Sequence, residues 1–291
     1  MTGSQQADAV VRQARGARAA KRLLAALALV AAAGTILPAG LDAQQSGAAQ
    51  SAVARPLLPP DLDSYIAKGM KLYDLPGLAI GVVFDGQLVY AKGFGLRSKT
   101  SGGTVDTHTL FQIGSTTKAF LATTLAIMVD RGKLNWNDRV VDLDPEFQLQ
   151  DPWVTREFRV FDLLAQRSGL PSYANDTVGM LGADETAMIR SLRYVTPVTS
   201  FRAGFTYTNI THLEADRIVA KADGLPDWDT VLRKELFDPL GMKDSSNTAA
   251  AIEAAPNHAQ GHFWTPSGTS PIPSTQLFPY NFGGAGDINS N

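Results

Sequence analysis

Ser115 and Lys118 stand three residues apart at the head of a long apolar run, in the stretch LFQIGSTTKAF from Leu110 to Phe120. A serine hydroxyl is a weak nucleophile until a base removes its proton. On a helix, residues three apart share a face, so the lysine amine can reach the hydroxyl. Burial disfavours the ammonium form and lets a neutral amine act as that base. A serine at a helix start also has unpaired backbone N–H groups around it, the beginning of an oxyanion hole. Spacing alone leaves a second reading open, with Ser115 as an N-cap and Lys118 as a solvated side chain.

Other groupings carry less. His258 and His262 are four apart, which on one helical turn would suit two metal ligands. The surrounding NHAQGHFWTP is rich in loop formers and has no obvious acidic ligand nearby, so a loop pair is the expectation. No G-x-S-x-G occurs, so the nucleophile elbow of α/β-hydrolases is not supported.

The elements that must position Ser115 and Lys118 are readable in outline. DLDSYIAKGMKLYDL spaces Leu62, Ile66, Met70 and Leu72 as one helical face, stopped by Pro76 and Gly77. GLAIGVVFDGQLVYAKGFGL holds two β-rich runs around Asp85-Gly86, a favoured tight-turn pair, and reads as a hairpin. TTKAFLATTLAIMVDRGKL is apolar on nearly every side, which predicts a centrally buried helix capped near Gly132. Beyond Leu134 the chain reads as helices and loops: VFDLLAQRSGLPSY, ETAMIRSLRYV, THLEADRIVAKADG and DWDTVLRKELFDPLGM, each with Gly or Pro stops. After Met242 it turns rich in Pro, Gly, Ser and Asn, with no closing element evident.

The totals bound the function. Of 291 residues, 44% are hydrophobic and 19% charged, enough for a sizeable core in two subdomains. A net charge of −2 gives no reason to expect nucleic acid as a partner. The chain has no cysteine, so no disulfide framework supports it. Arg12, Arg15, Arg18, Lys21 and Arg22 precede LLAALALVAAAGTILPAG, the pattern of a secretory signal over residues 1–43. Export to the periplasm or the extracellular space is expected, with no stable membrane span once the signal is removed. Residues 44–58 read as a flexible linker.

In this setting the serine–lysine pair resembles the S-x-x-K motif of the serine β-lactamase and penicillin-binding-protein superfamily, in its class C-like branch of D-Ala-D-Ala carboxypeptidases and esterases. The resemblance extends over about residues 60–291. The hairpin is similar to the family's first, and VFDLLAQRSGLPSY resembles its LL-x-H-x-SGLP segment, with Gln166 in the histidine's place. ELFDPLGMKDSS resembles its PLGM-x-x-T segment. The family's Y-x-N motif has two candidates, Tyr173-Ala174-Asn175 and Tyr207-Thr208-Asn209. The second sits in FRAGFTYTN, which resembles F-x-PG-x-x-x-Y-S-N, and its spacing from Ser115 fits the family. The resemblance implies that Tyr207 relays protons with Lys118 and that Asn209 binds the acyl side of the substrate. Tyr173 is expected in a loop near the cleft.

The family's third motif, Lys or His, then Thr or Ser, then Gly, is not found after Tyr207. PYNFGGAGDINSN resembles a segment that precedes it, so the chain is expected to stop short of the full fold. The resemblance thus implies an α+β fold: an antiparallel β-lactamase-like sheet flanked by helices, its sheet incomplete, plus an all-helical subdomain. Residues 59–141 would form the α/β region with the serine helix, 142–257 the helical subdomain, and 258–291 the start of a return to the α/β region. The implied function is hydrolysis through an acyl-enzyme on a β-lactam, a D-Ala-D-Ala-type peptide or a small ester. Neither metal nor organic cofactor is implied. A small-molecule or peptidoglycan-like substrate is the expected partner, and the sequence sets no oligomeric state. The competing expectation is a non-catalytic homologue or binding protein that lacks the third motif.

Overall fold

A computed structural model describes residues 58–272 and 279–291, all within one compact unit. The expected signal segment and the linker up to residue 57 lie outside the described residues.

Helix α1 (Leu62–Leu72) leads into strands β1 (Gly77–Phe84) and β2 (Gln87–Ser98). The two strands pair antiparallel from Gly77↔Gly95 to Phe84↔Gln87, so the loop is the two residues Asp85 and Gly86. Both have positive φ (47° and 71°), the primed turn whose twist matches a hairpin, and an aspartate tolerates it better than most residues. β3 (Gly102–Thr104) adds to the far side of β2. Gly93 is required by close approach: a Cβ there would lie 2.3 Å from the Val105 carbonyl oxygen. Tyr90 and Lys92 on β2 both hydrogen-bond Asp63 of α1, which ties helix to sheet.

A short strand β4 (Phe111–Gln112) and a 3₁₀ turn (Gly114–Thr116) precede helix α2 (Thr117–Asp130). The uniform apolarity of α2 predicted enclosure on all sides. Instead Thr117, Leu121, Thr124, Leu125 and Met128 are buried on one face, while Ala119 and Thr123 stay exposed. The helix's outer face is made of small side chains that cost little to leave in water, so the lack of a polar stripe did not imply full burial.

The more enclosed helix lies in the helical region. This region comprises α3 (Val140–Leu143), α4 (Pro152–Glu157), α5 (Val160–Leu164), α6 (Asp176–Met180), α7 (Glu185–Ser191), α8 (Ile210–Asp223), α9 (Trp228–Leu232) and α10 (Ala249–Ala254). Every residue of α8 from Ile210 to Ala220 except Arg217 is buried, and Gly224 (φ 71°) closes it in the left-handed conformation. Leu121, Leu125 and Met128 of α2 join Leu213 and Val219 of α8, Val231 and Phe237 in one core. Trp228 Nε1 donates to Thr124 Oγ1 at 3.2 Å inside it.

His258 and His262, read as a loop pair, fall before and at the start of a hairpin, β5 (His262–Thr265) with β6 (Gly268–Pro271). His262 Nδ1 lies 2.8 Å from the Gln260 carbonyl oxygen and its Nε2 lies 3.1 Å from the Lys99 backbone nitrogen.

The sequence suggests no closing element after Met242, yet residues 279–291 are packed. A turn α11 (Gly283–Gly286) and strand β7 (Asn289–Ser290) insert against the serine helix, and β7 pairs antiparallel with β4. Phe282 and residues 284–289 are buried. The glycines here allow close packing: a Cβ on Gly284 would come within 2.7 Å of Leu121 Cδ2. The described strands thus form a three-stranded sheet and two separate pairs. Small antiparallel sheets combined with many helices make the architecture the expected α+β.

Candidate active site

Gly114 (φ 53°) turns the chain from β4 into the 3₁₀ turn, and Ser115 lies in that turn, exposed. Lys118 follows in the first turn of α2, half-buried. Its Nζ lies 3.3 Å from Ser115 Oγ. Tyr207 comes from the segment before α8, and its hydroxyl donates to Ser115 Oγ at 2.6 Å. Asn209, the residue before α8, accepts from Lys118 Nζ through Oδ1 at 2.7 Å. The four residues picked from the sequence therefore meet at one point, drawn from two helix starts 92 residues apart in the chain.

The alternative Tyr-x-Asn is placed differently. The Asn175 amide donates to the Ser191 hydroxyl at 2.8 Å, in a separate contact. Tyr173 has a positive φ (57°), donates its N–H to the Tyr207 carbonyl at 2.7 Å and sets its ring 5.4 Å from the Tyr207 ring. It is 61% exposed, so it flanks the serine's side of the molecule with an open aromatic face.

Several groups at the site were not foreseen. The Ala285 carbonyl accepts from Lys118 Nζ at 2.8 Å, so the C-terminal turn completes the lysine's surroundings. Asp176, at the start of α6, accepts the Asn209 Nδ2–H at 2.6 Å. Gln166, noted in the sequence only as a histidine replacement, is buried and accepts both the Thr208 N–H (2.6 Å) and the Thr208 hydroxyl (3.0 Å). Its backbone also accepts the Thr206 N–H, so one residue clamps both sides of Tyr207. Only the position of Gln166 within its segment could have pointed to this. Ala285 acts through its backbone, which side-chain type does not encode.

The electrostatics favour a lysine that titrates early. Burial lowers the Lys118 pKa to about 8, and the charge of Asp176 opposes the shift. The Tyr207 ring lies under the ammonium at 4.8 Å, a compensating attraction. His212, buried one helical turn beyond Asn209, is held neutral: burial, then the Lys118 charge, push it down to about 3. Burial raises the Asp176 pKa, while the Asn209 hydrogen bond and Lys118 pull the other way. Among the described residues no group of three or more His, Cys, Asp or Glu side chains is arranged to hold a metal ion.

A serine and a lysine at the head of one helix, with a tyrosine from a second, set in an α+β fold, define a class of enzyme-like folds rather than an individual protein. The Beta-lactamase family model matches residues 62–291, and the chain belongs to that family. Among curated proteins it is 30% identical over 228 residues to the unguisins hydrolase ungD' of Aspergillus campestris, covering 74% of this chain and 42% of that protein. Among solved structures it is similar to the octameric penicillin-binding protein homologue from Pyrococcus abyssi, with a TM-score of 0.69 and 28% identity over 79% of this chain and 53% of that one. The D-amino acid amidase from Ochrobactrum anthropi SV3 aligns with a TM-score of 0.63 and 26% identity, over 79% of this chain and 64% of that one. The chain thus spans less than two thirds of the length of each of these relatives.

Proposed function

We propose that this chain is a serine hydrolase that acts through an acyl-enzyme formed on Ser115. The observation that carries this reading is the surroundings of Ser115 Oγ, with the Tyr207 hydroxyl at 2.6 Å and Lys118 Nζ at 3.3 Å. A neutral amine has two N–H bonds and one lone pair. The two shorter contacts of Lys118, to Asn209 Oδ1 and the Ala285 carbonyl, use the two N–H bonds. The lone pair is then left for the Ser115 hydroxyl, which is what a general base requires.

In the proposed reaction Ser115 Oγ attacks the substrate carbonyl as its proton passes to Lys118, with Tyr207 assisting. The Ser115 backbone N–H supplies one donor to the oxyanion, and Asn209 orients the acyl side. Collapse of the adduct expels the leaving group, which regains a proton through Lys118 and Tyr207, and water then cleaves the serine ester. Neither metal nor organic cofactor enters. The proposed substrates are β-lactams, D-Ala-D-Ala-type peptides and small esters. Support comes from relatives whose names include a hydrolase, a D-amino acid amidase and a penicillin-binding protein homologue. We also infer export, on the basic and apolar leader pattern within residues 1–43.

The test is turnover of a chromogenic β-lactam, a D-Ala-D-Ala peptide and an activated ester by the wild-type chain and by Ser115→Ala and Lys118→Met. Turnover of at least one substrate is expected, lost in Ser115→Ala and reduced about 100-fold or more in Lys118→Met. Equal turnover in Ser115→Ala would reject the reading.

A further inference from the structure

Asp176 has no part in the reaction as proposed above, yet its placement is unusual for a carboxylate. It begins α6 (Asp176–Met180), whereas Asn209 stands immediately before α8. Its Oδ2 accepts from Asn209 Nδ2 at 2.6 Å, a short contact of the charge-assisted kind. Its other oxygen, Oδ1, is buried and has no hydrogen-bond partner, although a carboxylate normally satisfies both when buried. Burying a carboxylate in this state is costly, so its retention beside the serine site asks for a reason.

The Asn209 amide supplies one. An amide is asymmetric, with an acceptor on one side and donors on the other. Here Oδ1 faces Lys118 Nζ at 2.7 Å and Nδ2 faces Asp176. A carboxylate can only accept, so it admits one orientation of that amide and rejects the flipped one. A flip would put N–H groups against the lysine amine and place amide oxygen against carboxylate oxygen. We propose that Asp176 is a positioning residue that fixes the Asn209 amide with its oxygen toward Lys118 and thereby sets both the direction of the lysine's lone pair and the pH at which it becomes available.

This inference rests on the proposed role of Lys118 as the base. The charges and polar groups facing Lys118 can be named from each element around it. Ser115 lies on its own helix start, Tyr207, Asn209 and neutral His212 on the α8 side, Asp176 on α6, and the Ala285 carbonyl on α11. Asp176 is the one carboxylate whose charge acts on Lys118 in this set, and it raises the lysine's pKa against the lowering effect of burial. Taking the charge away while keeping the shape therefore makes the free amine available at lower pH.

The experiment measures the rate of acylation by an activated ester against pH for the wild-type chain, Asp176→Asn and Asp176→Ala, with thermal melts as a folding control. Asp176→Asn keeps an acceptor for Asn209 and loses the charge. Its acylation is expected to rise with pH along a limb displaced to lower pH than wild type. Asp176→Ala frees the amide to flip, so a fall of about 10-fold or more in the plateau rate is expected, beyond any displacement of the limb. If wild type is acylated but the Asp176→Asn limb coincides with wild type, or the Asp176→Ala plateau is unchanged, the inference is wrong. A loss in both variants that follows their melting temperatures, with no displaced limb, also overturns it, because it assigns Asp176 a purely structural role. Absence of acylation in wild type would instead reject the functional reading on which the inference rests.

Discussion

Replacing Asp287 with asparagine should flatten the dependence of stability on pH. Asp287 follows the α11 turn, is 3% exposed, and accepts the Phe282 N–H at 3.0 Å, while its other oxygen has no hydrogen-bond partner. Burial, and then the nearby Glu185, push its pKa up from 3.8 to about 8, against backbone hydrogen bonds that lower it. The folded chain therefore holds a proton that the unfolded chain gives up near pH 4. Between those values the folded state binds more protons, so its stability falls as pH rises, and the loss levels off above about 8. Each pH unit inside the window costs about 1.4 kcal/mol for one such group. From pH 5 to 7 the wild type should lose about 3 kcal/mol more than Asp287→Asn, an upper value because denatured chains are not fully solvated. Urea unfolding at pH 5, 6 and 7 reads this directly. The consequence reaches the site, since the same turn presents the Ala285 carbonyl to Lys118. Parallel stability curves for wild type and Asp287→Asn would refute the reasoning.

Other perturbations have equally defined outcomes. Arg202 holds buried Asp162 through Nε–Oδ1 (2.8 Å) and Nη2–Oδ2 (2.6 Å) and stacks on Phe201, so Arg202→Ala should destabilise by about 3 kcal/mol in urea unfolding. The guanidinium is 37% exposed, which keeps the expectation at the low end for a broken buried pair. Gly284→Ala would press a Cβ to 2.7 Å from Leu121 Cδ2, so it should cost about 1–3 kcal/mol and slow turnover by shifting the neighbouring Ala285. Tyr207→Phe keeps the ring beside Lys118 and Tyr173 and removes the hydroxyl on Ser115, so turnover should fall about 100-fold or more with little change in melting temperature.

What the sequence made legible were features fixed by local rules. Asp85-Gly86 announces a hairpin because few residue pairs tolerate two positive φ values in succession. Ser115 and Lys118 announce each other because helix geometry alone places residues three apart on one face. Tyr207 and Asn209 needed the family resemblance, since nothing in their own segment points to a serine 92 residues away. Asp176, Gln166 and Ala285 stayed hidden for different reasons. Asp176 reads as an ordinary helix-start acid, Gln166 as a departure from a motif, and Ala285 contributes only its carbonyl oxygen. The Gly-rich end at 283–286 has a composition that in isolation means a loop. Its packing against Leu121 depends on a partner far away in the chain.

The central claim is that Ser115 is a nucleophile served by Lys118. Its most direct test is the intact mass of the chain after brief exposure to a penicillin and to an activated ester, followed by peptide mapping. A single added acyl group on the peptide containing Ser115, absent in Ser115→Ala and formed faster as pH rises through about 8, is the predicted result. A folded wild-type chain that gains no mass, or gains it equally in Ser115→Ala, would contradict the account.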